Sequence, residues 1–256
     1  MVTRLHLQKN RYKFLDMVDI FKDELNVSSE ENVPNIDRKE FIKVVESRRS
    51  VRVYKKEEIP EKDVYRCLEL ALLAANSSNL QAWEFYWVKS PEKKKKLIQY
   101  CLNQPAARTA QELIVCVAKP MAWKENGKKM LELLKSKGNP PDAVINYYKK
   151  IVPLAYNQGF FGIRGFLKKI AIFFLSFSRP IPREPVSFSD MKIWAQKTTA
   201  LACQNLMLSF RAFGYDSCPM EGIDSARIKK LLNLSKCDQI CMVISAGKRA
   251  SNGVYS

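Results

Sequence analysis

Two short stretches, Trp83–Val88 (WEFYWV) and Glu112–Ala118 (ELIVCVA), constrain the fold more than anything else in the chain. Each has strand length, and neither keeps a polar face for water. The second is a mostly continuous apolar run suited to burial on both faces. A further apolar run over residues 239–246 reads as the last strand. Helices to pack against these strands can be read around them. Asp37 is placed to cap a helix to about Ser47, with Phe41, Val44 and Val45 on one face. Pro60 opens another through Ala75, whose apolar face includes Val64, Cys67, Leu68, Ala71 and Leu72, and residues 76–79 (NSSN) break it. Pro91 opens a lysine-rich helix to about Leu102. Helical pieces flank the turn at 138–141 (GNPP). Ser189 is placed to cap the longest helix, through Trp194, Leu201, Leu206 and Leu208 to a stop at Gly214, and a short helix follows near 225–232. Strands mixed with helices, without regular alternation or a GxGxxG turn, predict an α+β fold.

Composition narrows the chemistry. In 256 residues the only histidine is His6, near a terminus, so a Ser-His-Asp triad, a core Cys-His pair and a histidine metal cluster are all excluded. Catalysis must come from other groups or from a cofactor. The seven cysteines (67, 101, 116, 203, 218, 237 and 241) are odd in number and form no CxxC pair. They suit buried thiols in a reducing compartment, and the spacing Cys237-x-x-x-Cys241 is a weak metal signal, so no metal is expected. A net charge of +17 invites a nucleic-acid reading. Yet the lysine runs at 93–96 and 128–129 read as solvated helix faces without a nucleic-acid motif. Attraction for phosphates, dinucleotides or a lipid surface is what remains. The mixed residues 1–9 with no apolar stretch after them, and the lack of any run of 18 apolar residues, lead to an expected cytoplasmic location.

Residues 1–35 read as an N-terminal extension, with a short amphipathic piece at 12–25 and a polar stretch at 28–35; residues 36–256 read as one domain. Within it, residues 160–177 (FFGIRGFLKKIAIFFLSF) are apolar and basic, with Arg164, Lys168 and Lys169 spaced for one helical face. They fit a buried helix or dimer contact, a lid over an apolar site, or an interfacial membrane helix.

Three separated pieces carry candidate chemistry. At 46–52 (ESRRSVR), Arg48, Arg49 and Arg52 are planar, permanently charged donors and Ser50 adds a hydroxyl. They suit a phosphate and the electron-rich edge of a ring, or simply complement a helix dipole. At 76–83 (NSSNLQAW), the polar Ser77, Ser78, Asn79 and Gln81 sit between an apolar helix and an aromatic strand. Asn79 could pair with an alternating donor and acceptor edge, as on a flavin pyrimidine; a helix cap and turn is the plainer reading. At 217–224 (SCPMEGID), Pro219, Met220, Glu221 and Gly222 follow the long helix, and Gly222 permits close backbone approach. Backbone N–H groups there could reach flavin N5, though an ordinary turn before a helix capped by Asp224 fits too.

The order and spacing of 48–52, 77–83 and 219–224, with the closing strand into 247–249 (GKR), resemble the FMN-dependent nitroreductase family over roughly residues 38–250. The resemblance implies a mixed central sheet flanked by helices in an intertwined homodimer with FMN at the interface. It implies Arg48 on the FMN phosphate with Ser50 beside it, Arg52 at N1/O2, and Asn79 on the pyrimidine edge. The backbone of Glu221 and Gly222 faces N5, and Lys248 with Arg249 forms a second phosphate clamp. It further implies a ping-pong cycle in which NADH or NADPH reduces FMN and a small-molecule acceptor, nitroaromatic or quinone, takes the electrons. Residues 157–188 fall where the family is variable, as a lid-like insertion. Two departures stand out: Asn76 and Ala82 occupy positions that are often proline in the family. The alternatives are a flavin-binding protein without turnover, and a basic membrane-surface or nucleic-acid-binding protein.

Overall fold

The computed structural model describes residues 2–5 and 33–254. The amphipathic piece expected at 12–25, and His6, lie outside them. Five strands form one sheet: β1 (Val2–Leu5), β2 (Trp83–Val88), β3 (Glu112–Ala118), β4 (Asp216–Met220) and β5 (Gln239–Gly247), in the order β1-β2-β3-β5-β4. All four ladders are antiparallel. The mixed character expected of the sheet is confined to an isolated parallel bridge between Ser50 and Ser217.

Successive residues of β2 separate to opposite faces, as the period of two demands. Phe85 and Trp87 join a cluster with Val64, Leu68, Cys203, Leu206 and Phe210, from α2 (Glu61–Ala71) and the long α9 (Phe188–Ala212). Tyr86 and Val88 join a second cluster with Leu97, Ala106 and Ile228, from α3 (Pro91–Tyr100), α4 (Pro105–Thr109) and α10 (Ser225–Leu231). The apolar runs are thus covered on both faces. A satellite cluster lies beside the sheet, where α5 (Trp123–Ser136) packs on α6 (Asp142–Asn146), a π turn (Tyr147–Ile151) and α7 (Val152–Tyr156).

Several boundaries differ from expectation for local physical reasons. Ser187, not Ser189, caps α9: its Oγ accepts from Asp190 N at 3.1 Å while Asp190 Oδ2 accepts from Ser187 N at 2.9 Å. That reciprocal box needs an acidic residue three positions on, which Ser187 has. Helix α2 stops at Ala71, and Leu72 to Ala74 continue as turns. Helix α3 ends two residues early, where Leu102 and Asn103 take positive φ. The turn assigned around Cys218 is in its first half the strand β4, hidden in the sequence by Pro219. An edge strand tolerates proline because one side of its ladder is unused. In α1 (Arg38–Ser47) no residue is buried, and Phe41 and Val45 face solvent.

The apolar segment is α8 (Ile163–Leu175), entered by a 3₁₀ turn (Phe160–Gly162). It is not a buried helix of this chain: Gly165 is its sole buried residue. Nor do its three cations share a face, since Lys168 turns inward and donates to Ala155 O (2.8 Å) and Pro185 O (2.9 Å). Among the described residues no helix is long and apolar enough to cross a membrane.

Candidate functional site

The first and third pieces meet along β4. Helix α1 ends at Ser47, and the chain then runs extended beside the edge strand, bridging Ser50 to Ser217 and donating from Val51 N to Ser217 O at 3.2 Å. Val51, fully buried, pins this segment. Arg48 and Arg52 both act on the Cys218 thiol: burial pushes it above its ordinary range, and the two guanidiniums oppose that rise. Arg49 folds back to donate to Glu46 O (2.6 Å) and Arg48 O (2.9 Å).

The neighbouring charges are already paired. Buried Asp216, at the start of β4, accepts from Arg249 (2.7 Å) and Arg211 (3.0 Å), and Arg249 also reaches Ser47 O at 3.3 Å. Lys248 sits 2.8 Å from Glu57 and holds its carboxyl below the usual carboxylate range. Arg249 therefore reaches the first piece through Ser47 O, while Lys248 stands at Glu57 just beyond it, and both bind carboxylates of their own chain. Arg48 is different: its guanidinium has no hydrogen bond or ion pair among the described residues, and it is only half-buried. Ser217 Oγ is buried and lacks a partner.

At the far end of β4, Met220 is buried while Glu221 and Gly222 emerge into solvent. Gln104 Nε2 donates to Gly222 O at 2.8 Å and holds this turn, a contact that sequence spacing could not announce. A Cβ at Gly222 would meet only that Nε2, at 3.7 Å, so the backbone edge here stays open to a flat ligand. Asp224 then caps α10 through Arg227 N at 3.0 Å.

The second piece is a strained loop. Ser78, Asn79 and Gln81 all have positive φ (57°, 48° and 43°), a region that costs non-glycine residues about 1–2 kcal/mol each. Hydrogen bonds hold it there. Gln81 N donates to Asn76 Oδ1 (2.8 Å) and Gln81 Nε2 to Asn79 Oδ1 (3.2 Å). Three residues that sequence reading missed do the rest: Tyr148 OH donates to Ser78 O (3.0 Å), Tyr147 OH meets Ser78 Oγ (2.6 Å), and Asn126 donates to Leu80 O (2.8 Å). They lie on the α5–α7 unit, 45 to 70 positions along the chain. Gln81 Oε1 is buried without a partner, at the wall of a 460 Å³ cavity where Lys119 bridges Asp238 (2.7 Å) and Glu84 (3.5 Å). Ser77 is exposed at the head of the loop.

The loop leads into β2, and β3 and β5 separate β2 from β4. At about 4.8 Å per strand, that sets the second piece about 14 Å across the sheet from β4. The register adds to this along the strands, since Trp83 lies level with Gln239, Ser217 with Ala246 and Met220 with Val243. One chain therefore offers two half-sites, not one closed pocket. Among the described residues no cluster of three His, Cys, Asp or Glu side chains stands ready for a metal ion.

Comparison with known proteins gives the family. The profile of the Nitroreductase family matches residues 45–248. The chain is 26% identical over 223 residues to YdgI of Bacillus subtilis, named provisionally as an NAD(P)H nitroreductase, covering 86% of this chain and 94% of YdgI. It is 27% identical over 211 residues to an NADH dehydrogenase of Thermus thermophilus, covering 82% and 86%. A protein of Exiguobacterium sibiricum solved in complex with FMN shares the fold, with a TM-score of 0.63 at 23% identity over 89% of this chain and 94% of that one. With the profile spanning most of the chain and all three candidate pieces, this protein belongs to the nitroreductase family.

Proposed function

We propose that the protein is an FMN-dependent NAD(P)H oxidoreductase, working as a homodimer in which each site joins the β4 half of one copy to the Asn76–Gln81 loop of the other. The observation that carries this reading is Arg48. In a neighbourhood where Asp216 and Glu57 take up Arg211, Arg249 and Lys248, it keeps an uncommitted guanidinium near enough to act on the Cys218 thiol, one residue on from the buried, partnerless Ser217 Oγ. Such a donor set fits a phosphate monoester. The open backbone edge at Glu221 and Gly222 fits the rim of a planar ring. Support for the dimer comes from α1, which presents Phe41, Ile42 and Val45 to solvent and packs against α9, whose Leu201 is exposed too. The names of YdgI and the Thermus relative, and the FMN of the Exiguobacterium structure, support the cofactor and the electron donor.

FMN, when bound, supplies two-electron chemistry between a reduced nicotinamide and an organic acceptor, nitroaromatic or quinone, in ping-pong order. The chain's own residues bind and orient. Arg48, with Ser50 beside it, holds the phosphate, and Arg49 stiffens the turn through its carbonyl contacts. Arg52 sets positive charge near the N1/O2 edge, which favours an anionic reduced ring. Backbone at Glu221 and Gly222, shaped by Pro219 and Met220, faces N5. From the partner, Ser77, Ser78, Asn79 and Gln81 meet the ring edge, and Lys248 with Arg249 braces the phosphate side through the ion pairs described. No side chain acts as nucleophile. Residues 157–188 form a lid-like insertion bearing on acceptor choice, and the seven unpaired thiols suit a cytoplasmic setting.

The test is flavin content. Purified protein is expected to show a flavin spectrum, with NADH or NADPH bleaching it anaerobically. Arg48→Ala should weaken FMN binding by about 1.5–3 kcal/mol through loss of a charge-assisted contact. Full flavin retention with unchanged affinity in that variant would overturn the role given to Arg48. A spectrum that bleaches with dithionite but with neither nicotinamide would leave a flavin-binding protein without turnover.

A further inference from the structure

Helix α8 is built inside out. Its inward stripe is Gly165, Lys168, Ile172 and, one turn past its end, Ser176, spaced as one helical face. The seat is made to measure. Gly165 N donates to Gln158 O at 3.1 Å, and a Cβ at Gly165 would fall 2.2 Å from Val186 O and 2.4 Å from Gln158 Oε1. Lys168 Nζ spends its donors on two backbone carbonyls beneath the helix. Small and polar groups therefore dock the helix, and its apolar residues are left pointing away from the protein.

That outward face is large and aromatic. Phe166, Phe173, Phe174 and Phe177 are 57–76% exposed, and Ile163, Leu167 and Ile170 fill the arc between them. At 3.6 residues per turn these seven side chains span about 120° of the helix. Phe160 and Phe161 continue the patch at the helix entrance, 79% and 85% exposed. The exposed Lys169 and Arg164 lie outside the arc, one on either side of it. Charge along the chain is one-sided as well: between Asp142 and Glu184 there are seven Lys and Arg residues and no acidic residue. With 13 residues at 1.5 Å each, α8 is about 20 Å long, too short for the roughly 30 Å hydrocarbon core. It has the makeup of a helix that lies in a membrane surface.

We propose that α8 and its entrance turn dock this protein onto an anionic lipid bilayer, the phenylalanine face entering the acyl boundary while Arg164 and Lys169 reach up to lipid phosphates. Charge decides the occupant. A second copy would bring the same cationic flanks against this face, and like charges repel; an anionic membrane complements both the apolar arc and its basic edges. The inference stands apart from the flavin reading, although a docked enzyme would meet acceptors dissolved in the lipid directly.

The experiment is cosedimentation of the full chain with vesicles of phosphatidylcholine mixed with phosphatidylglycerol, and with phosphatidylcholine alone. Both are run at about 0.01 M and about 1 M salt, where the Debye length falls from about 30 to about 3 Å. The mixed vesicles should carry the protein down at low salt and release most of it at high salt. The double variant Phe173→Ser with Phe174→Ser should lose partitioning on the order of a hundredfold, as two buried aromatic side chains are withdrawn. Arg164→Gln with Lys169→Gln should lose about fivefold per charge, and only on the anionic vesicles. This second variant leaves the helix seat untouched, so it reads docking even if the first folds poorly. No association with anionic vesicles at low salt overturns the proposal. So does equal binding to both lipids, or a phenylalanine variant that dissociates an oligomer while vesicle binding stays the same; that last result would assign the face to a second copy.

Discussion

Strand β2 and helix α8 are both dominated by aromatic and aliphatic residues, and they meet opposite fates. In β2 all six residues are buried; in α8 nearly every apolar side chain is exposed. Hydrophobicity sets the reward for burial but does not say what will supply it. The strand sits between two helical layers that reach both its faces. The helix is held by one narrow stripe whose closest approach is at a glycine, and nothing among the described residues covers the rest. One apolar run builds the core, and the other is left outside it.

The comparison breaks most easily in the strand. Phe85 is fully buried in the cluster with Leu68 and Phe210, so Phe85→Ala should cost about 3–5 kcal/mol, from lost burial and the cavity left behind. Urea unfolding at an unchanged m-value would measure it. A loss under about 1 kcal/mol would mean that the two helical layers do not clamp β2 as described. At α8, Gly165→Val should have an intermediate effect of about 1–3 kcal/mol, because the added carbons must displace Val186 O or Gln158. Faster amide exchange confined to α8 and to residues 186–187 would localise it; unchanged exchange there would show that the seat is looser than its geometry.

The same contrast explains what could be read in advance. β2 and β3 were legible to the residue, since continuous apolar runs of strand length admit few alternatives, and the caps at Asp37 and Asp224 followed from local chemistry. β4 was not, because Asp216 and Pro219 break the apolar pattern of a strand whose burial depends on Arg249 and on the chain at 50–51, far away in sequence. Of the site, the motifs at Arg48–Arg52 and Asn76–Gln81 could be picked out by their donor chemistry. Their supports could not: Tyr147, Tyr148, Asn126 and Gln104 act through tertiary contacts with no local signature. The orientation of α8 was hidden for the opposite reason. Its composition left a buried helix or dimer contact, a lid and an interfacial helix all open, and only the tertiary contacts of Gly165 and Lys168 show which side is in.

Lys168 sharpens the comparison from the inward side. Burial, with Arg164 nearby, lowers its ammonium below the ordinary lysine value. A lowered folded value means that the unfolded chain binds this proton more tightly, so stability at this position rises as pH climbs through the folded value toward the ordinary lysine value. Lys168→Met should abolish that rise. At neutral pH it should cost about 1–2 kcal/mol by leaving Ala155 O without its donor and Pro185 O with only the 3.4 Å contact from Gln158 Nε2. Thermal unfolding of the two proteins at neutral and alkaline pH separates these effects; parallel pH profiles would mean that Lys168 is solvated and that α8 is held by Gly165 alone.

The smallest effect on stability is expected on the outward face, and its smallness is the point. Phe173 makes its aromatic contacts with Phe174 and Phe177 of its own segment, edge to face, with ring centroids 5.4 and 5.1 Å apart. Removing it from water-exposed positions forfeits little, and a serine there is well within helix tolerance. Phe173→Ser alone should shift unfolding by no more than about 0.5 kcal/mol, about a tenth of the Phe85→Ala cost. A loss of 2 kcal/mol or more would mean that Phe173 is covered in solution by protein, and the contrast between strand and helix would then reduce to the contrast between one chain and its assembly. A change near zero, measured on the same preparation that loses vesicle binding, separates the two roles of a phenylalanine in this molecule: Phe85 holds the fold together, and Phe173 is held out by it.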